Sequence, residues 1–154
     1  MGLTRRAPFL MAFILAGVLA TPVTSHARDF FGVRGGVYTD ISEAFVGAEL
    51  LLPVGHDIFV NPNVEYVFVQ NATYMTFNMD AHVDLPTRGR AYVWLGGGLG
   101  VIYFNPDGPA SGNTDVGANF LGGVGLRGDV IPYVQAKLIV KDQTEFVLAF
   151  GLRF

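Results

Sequence analysis

The sequence predicts an all-β protein, an eight-stranded antiparallel up-and-down transmembrane β-barrel, on three observations. The first is composition: 154 residues that are 51% hydrophobic, with 20 Gly, 13 Phe and 6 Tyr but only 15% charged residues, less charge than a soluble domain usually carries. The second is period. Beyond residue 27 the apolar residues alternate with others and nowhere form the run of about 18 that a membrane-crossing helix requires. The third is charge, which falls on one face of each alternating segment and leaves the opposite face apolar.

The first 27 residues read as a cleaved secretory signal peptide and stand apart from the fold. Arg5 and Arg6 supply its positive start, Pro8 to Ala20 its apolar core, and Ser25-His26-Ala27 its small-x-small cleavage site. An uncleaved anchor is disfavoured, because the apolar stretch is short for a span and runs into Thr21-Pro22. The Arg5-Arg6 pair does not indicate a twin-arginine route, since a protein exported already folded cannot later be threaded into a membrane as a barrel. Residues 28–154 are then one barrel domain, with the outer membrane as destination.

Other classes are excluded by what the chain lacks. Cysteine is absent, so disulfides, thiolate metal sites, a Cys nucleophile and a lipoprotein anchor are excluded. The formal net charge is −3, which offers no basic face to a nucleic acid backbone.

Eight strands follow in order, near 30–38, 45–53, 58–69, 75–85, 91–104, 116–127, 132–141 and 145–154. In the first, Phe31, Val33 and Val37 oppose Arg34 and Tyr38; in the second, Val46, Ala48, Leu50 and Leu52 oppose Gly47 and Glu49. In the third, Val64, Tyr66 and Phe68 oppose Asn63 and Glu65. The fourth alternates most fully: Met75, Phe77, Met79, Ala81, Val83 and Leu85 against Thr76, Asn78, Asp80, His82 and Asp84. The fifth sets Tyr92, Trp94, Gly96, Gly98 and Gly100 against Val93, Leu95, Leu99 and Val101. The seventh opposes Val134, Ala136, Leu138 and Val140 to Gln135, Lys137 and Lys141. The eighth places Phe146, Leu148, Phe150, Leu152 and Phe154 on one side and Glu145, Val147, Ala149, Gly151 and Arg153 on the other. Connections such as Pro53 to Asp57, Pro86 to Gly89 and Lys141 to Thr144 carry turn chemistry, and only 105–115 is long.

An apolar outer band around a polar interior describes a membrane barrel, whereas a soluble barrel reverses the two faces. The inward set holds Arg34, Arg127, Lys137 and Arg153 against Glu49, Glu65, Asp80, Asp84 and Glu145, with His82 among them, while the outward set holds no charge at the strand centres. A charge of Arg or Lys type facing lipid at the midplane costs about 2–4 kcal/mol, so lipid demands this sorting. An eight-stranded interior is just wide enough to be filled by side chains, so the fifth-strand glycines make room for large residues opposite. Balanced inward charge predicts a lumen closed by ion pairs and not a conducting pore.

These residues resemble the OmpA/OmpX-type family of small outer-membrane β-barrel domains. The similarity covers nearly all of residues 28–154 and rests on Val33-Arg34-Gly35-Gly36, Phe45 to Glu49, Asn61 to Tyr66, the glycine-rich run from Tyr92 to Gly100, Pro132 to Gln135 and the closing Phe146 to Phe154. The resemblance implies that Phe150, Leu152 and the terminal Phe154 form the signal read by the barrel-assembly machinery, with periplasmic chaperones and outer-membrane lipid as partners and no cofactor. It also implies a periplasmic N-terminus, which puts 39–44, 70–73, 105–115 and 141–144 outside; the external partner is unidentified. The chain departs from larger relatives in stopping at Phe154 without a peptidoglycan-binding domain, and from adhesin-like relatives in its short outer connections.

Enzymatic chemistry finds little support. The residues after 27 include only Ser42 and Ser111, both in predicted outer loops, and only His56 and His82, both near the other end, so no Ser–His pair is expected. Asp80, His82 and Asp84 share one face at i, i+2 and i+4 and are the most ligand-like group, but Arg34, Arg127, Lys137 and Arg153 are available on the same interior face and favour an internal plug over a metal. Tyr92 and Trp94 could stack on a ligand or fill the lumen opposite glycine. Gly123 to Gly128 matches a dinucleotide fingerprint by letters only, since no helix follows to receive a phosphate. Asn71-Ala72-Thr73 fits a glycosylation triplet without a host that would use it.

Overall fold

The structure is a computed structural model that describes residues 30–154; the expected signal peptide and its cleavage site lie outside the described residues. Eight strands run β1 (Phe30–Tyr38), β2 (Glu43–Pro53), β3 (Ile58–Val67), β4 (Ala72–Leu85), β5 (Ala91–Pro106), β6 (Asn113–Leu126), β7 (Ile131–Val140) and β8 (Glu145–Arg153). Each pairs antiparallel with the next, and β8 pairs back onto β1, so the sheet closes into an up-and-down barrel. Closure removes the sheet edges that would otherwise invite aggregation. Residues directly opposite one another lead from Asn61, the fourth residue of β3, through Asp80, Gly98, Asn119 and Ile139 to Glu145, the first residue of β8, so the register is staggered from strand to strand. That stagger is what tilts the strands and lets eight of them close around a core of side chains.

Tight connections make this order possible. At one end, the turn end, lie 54–57, 86–90 and 127–130; at the other, the loop end, lie 39–42, 68–71, 107–112 and 141–144. Ser42, Asp57 and Asn71 take left-handed φ values of 56°, 59° and 54° in these connections, a conformation Asn and Asp tolerate because their side chains bond locally.

Several boundaries differ from the sequence reading, and β2 and β4 begin at Glu43 and Ala72, ahead of the expected 45 and 75. β3 stops at Val67 because its ladder with β2 begins at Phe45↔Val67, leaving only the Phe68 N–H bonded to Ala44 O at 2.8 Å. β5 and β6 run further than their Pro and Asn residues suggested, since Ala72↔Pro106 and Phe104↔Asn113 are still paired. The one long connection therefore shrinks to 107–112.

The outward face is apolar through the strand centres. Phe31, Leu95, Leu99, Phe120, Val134 and Phe150 stand exposed on the strand centres, where in a soluble protein a contiguous apolar surface of this kind marks a contact with something else.

Pro62 lies inside β3, where it removes a ladder donor. The β2–β3 ladder is interrupted there, between Glu49↔Asn63 and Leu52↔Val60. Asn61 compensates: its Nδ2 donates to Leu50 O at 2.7 Å and to Glu49 Oε2 at 3.0 Å. Asn61→Ala orphans the part-buried Leu50 carbonyl and removes a donor from a buried carboxylate, so we expect a loss of about 2–3 kcal/mol, measured as a lower urea midpoint in lipid vesicles; Asn61→Asp, which keeps the shape without the amide donor, should lose at least as much.

Candidate functional site

The alternation that makes the outside apolar delivers the polar residues to the lumen, which is built in three layers. At the turn end Tyr92, Trp94, Leu121, Ile131 and Tyr133 pack together, with Phe30 against them. At the loop end Tyr38, Phe45, Val67, Tyr74, Ile102, Ile139, Val147 and Ala149 form a second apolar cluster. Between them lies the charged layer.

Glu65, toward the loop end of β3, is the hub of that layer. Lys137 Nζ donates to both its oxygens at 2.9 and 3.0 Å, Arg34 Nη2 lies 3.1 Å away, and the hydroxyls of Tyr38 and Thr76 also donate to it. Glu49 is the second anion. Arg153 Nε bonds it at 2.7 Å, Arg34 Nη1 at 3.4 Å, and the Asn61 amide completes its shell. Arg153 is held further by aromatic faces, with its guanidinium 4.2 Å from the Tyr133 ring centre and 5.0 Å from that of Trp94, a stacking that suits a weakly hydrated planar cation. The side chains of Arg34, Glu49, Glu65, Lys137 and Arg153 are fully buried.

Asp80 is buried too, but it is bound by amides instead of a cation: Asn63 Nδ2 at 2.9 Å and Asn119 Nδ2 at 2.8 Å. His82 lies one step nearer the turn end, between Phe59 and Trp94, and Asp84 at the strand end is half-buried. The predicted trio is thereby divided, with Asp80 in the charged layer and His82 and Asp84 below it. Glu145 sits at the loop end, bonded to Lys141 at 2.9 Å and to the Tyr74 hydroxyl.

Arg127 is the exception among the predicted lumenal charges. It is exposed at the rim, because β6 ends at Leu126 and the next residue is no longer held to the alternation. Its N–H bonds Arg90 O at 2.8 Å and its guanidinium covers the Tyr92 ring at 5.2 Å.

Sequence reasoning did not single out Asn61 and Asn119, which satisfy Leu50 O, Glu49 and Asp80. Their inward position on β3 and β6 was the available signal. Glycines complete the interior: a Cβ at Gly123 would overlap the Trp94 ring, and one at Gly125 would lie 2.7 Å from Tyr92 Cε1, so these strands stay bare where the largest side chains lie. Phe150, Leu152 and Phe154 all face outward. Ser42 and Ser111 lie in the loop-end connections, while His56 and His82 lie at or near the turn end.

No protein-family model and no curated protein matches the chain. Solved structures do. The N-terminal β-barrel domain of Pseudomonas aeruginosa OprF superposes with a TM-score of 0.70 at 13% identity, over 82% of this chain and 95% of that one. This chain has the fold of a small outer-membrane barrel. Neisserial surface protein A, NspA, shares it with a TM-score of 0.62 at 13% identity, over 81% of this chain and 93% of that one. So does the outer membrane enzyme PagL, with a TM-score of 0.54 at 10% identity over 81% and 98%. At these identities the likeness is one of fold, and a small outer-membrane barrel of this kind is compatible with an enzymatic or a non-enzymatic role.

Proposed function

We propose that the protein is a structural and interaction protein of a Gram-negative outer membrane: a barrel with a side-chain-filled, non-conducting lumen that meets the exterior only through short loops. The observation that carries this reading is the Arg34–Glu65–Lys137 bridge, in which residues from β1, β3 and β7 meet across the lumen. Lys137 Nζ is spent on both oxygens of Glu65, Arg34 Nη2 lies 3.1 Å from the same carboxylate, and the apolar layer of Tyr38, Phe45, Val67 and Ile139 lies over the bridge on the loop side. An ion crossing here would have to break charge-assisted bonds and then enter an apolar layer, both costly steps.

The wide separation of the two serines from the histidines supports a non-enzymatic role, since nucleophile and base must lie within hydrogen-bond reach. Single-channel recordings in planar bilayers test the proposal. No steady conductance above leak is expected across pH and voltage; a sustained current would overturn the closed lumen in favour of a narrow porin-like channel or transport barrel.

Biogenesis belongs to the same proposal. Phe154 lies just past β8, and its N–H bonds Phe31 O at 2.8 Å across the closing seam. Deleting Phe154 removes that bond and the last residue of the outward Phe150, Leu152, Phe154 series that we assign to recognition by the barrel-assembly machinery. We expect the heat-modifiable band in SDS gels to disappear from outer-membrane fractions, while the purified variant still refolds in detergent.

A further inference from the structure

We propose that His82 and Asp84 form a binding site for one divalent transition-metal ion of borderline softness, such as copper(II) or zinc, at the turn end of the lumen. The two residues are separated by one position on β4, which places both side chains on the lumenal face. His82 Nε2 and Asp84 Oδ1 are both buried, and neither has a hydrogen-bond partner. They lie 3.7 Å apart, too far to bond each other.

That separation is close to what a shared metal sets. Nitrogen and oxygen ligands at about 2.1 Å from a tetrahedral ion stand roughly 3.4 Å from each other. Two adjacent buried ligand atoms without partners can both be satisfied by one atom set between them, a water oxygen or a metal ion, and the ligand chemistry of imidazole with carboxylate favours the ion. Among the described residues the other unpartnered buried side-chain atoms belong to Arg34, Asn119, Tyr133 and Gln135, groups with little affinity for such a cation.

The imidazole is held ready. Its ring stacks on Phe59 at 5.5 Å and 28° and lies against Trp94 at 5.7 Å and 34°. On β5 the facing residue is Gly96, where a Cβ would collide with the His82 backbone and Cβ. Asp84 is fixed through its N–H, which bonds Asp57 O at 2.8 Å, while its side chain stays 17% exposed and gives an approach from the mouth.

Nearby cations are already engaged: Arg153 with Glu49, and Arg127 over Tyr92. Among the described residues no group of three or more His, Asp or Glu could hold a metal, so the protein supplies two ligands and water the rest. Affinity is accordingly modest.

The chain carries its own reporter, because Trp94 is the only tryptophan and its ring adjoins His82. The full chain, folded in detergent micelles, is titrated with copper(II) chloride in a non-coordinating buffer while Trp94 emission is followed. Saturable quenching with one ion per barrel is expected. His82→Phe keeps the ring stack without a ligand and should abolish it, Asp84→Asn should weaken it about tenfold, and His56→Ala, at an exposed turn histidine, should leave it unchanged. The site is overturned if quenching is absent up to millimolar copper, if it survives in Asp84→Asn and His82→Phe at full strength, or if His56→Ala removes it. Should His82→Phe not fold, Asp84→Asn at the half-buried strand end decides.

Discussion

Replacing Glu65 with leucine is expected to cost about 3–5 kcal/mol, the range for breaking a buried ion pair by removing one partner, out of a total stability on the order of 5–15 kcal/mol. Among the described residues the carboxylate is the sole anion within bonding distance of Lys137 Nζ and one of two for Arg34. Without it the ammonium is left buried and unpaired, and the hydroxyls of Tyr38 and Thr76 lose their acceptor. Leucine fills part of the volume but satisfies none of these groups. Arg34 keeps Glu49, so the damage centres on Lys137. This makes a second variant decisive: Glu65→Leu with Lys137→Met removes the unpaired charge together with its partner and should recover most of the loss, because a buried pair exchanged for apolar residues of similar volume is often nearly neutral. Urea unfolding in lipid vesicles, followed by Trp94 emission, gives all terms of the cycle. A single-variant loss below about 1 kcal/mol would mean that water screens the lumen as it screens an exposed pair, and the closed-barrel proposal would lose its main support.

The parts of this arrangement that follow from period alone were legible in the sequence. β4 and β8 sort their residues by strict alternation, and the same rule placed Arg34, Glu49, Glu65, Asp80, Lys137 and Arg153 inside, where they are buried. Partners were not legible, because they depend on register. Asp80, His82 and Asp84 look like one group along β4, yet Asp80 is claimed by Asn63 of β3 and Asn119 of β6, residues whose distance in sequence says nothing of their approach. Pro62 likewise reads as an anomaly until the ladder shows that the Asn61 amide replaces the missing donor to Leu50. The error at Arg127 has a different origin. Alternation carried one residue past the end of a strand predicts a direction that the backbone no longer imposes, and at a rim a guanidinium does better in water over an aromatic face. Likewise, Asn105 to Gly108 carries turn residues, but pairing of Ala72 with Pro106 prolongs the strand through half of them.

The seam between β1 and β8 is where a single methyl group should do the most harm. Seven residue pairs, from Gly32↔Arg153 to Tyr38↔Val147, close the barrel, and at Gly36 the two backbones approach so closely that a Cβ would overlap Leu148 O and come within 2.9 Å of Ala149 Cα. A flexible side chain in that position could swing aside; a carbonyl committed to a sheet cannot. Nor can either strand retreat, since β1 is paired along its other side with β2 and β8 with β7. Relief requires separating the seam, and an open eight-stranded sheet exposes unpaired backbone to lipid, where no water can satisfy it. Gly36→Val is therefore expected to destabilise by about 3 kcal/mol or more, above the usual range for overpacking, with Gly36→Ala intermediate. Gly55→Ala serves as the control, because a Cβ there makes only ordinary contacts, 3.6 Å from Ile58. The readout is the fraction of folded, heat-modifiable barrel after refolding into vesicles. Native yield from Gly36→Val would show that β1 and β8 can slide apart without losing closure, and the seam would then be an adaptable joint instead of the rigid one described.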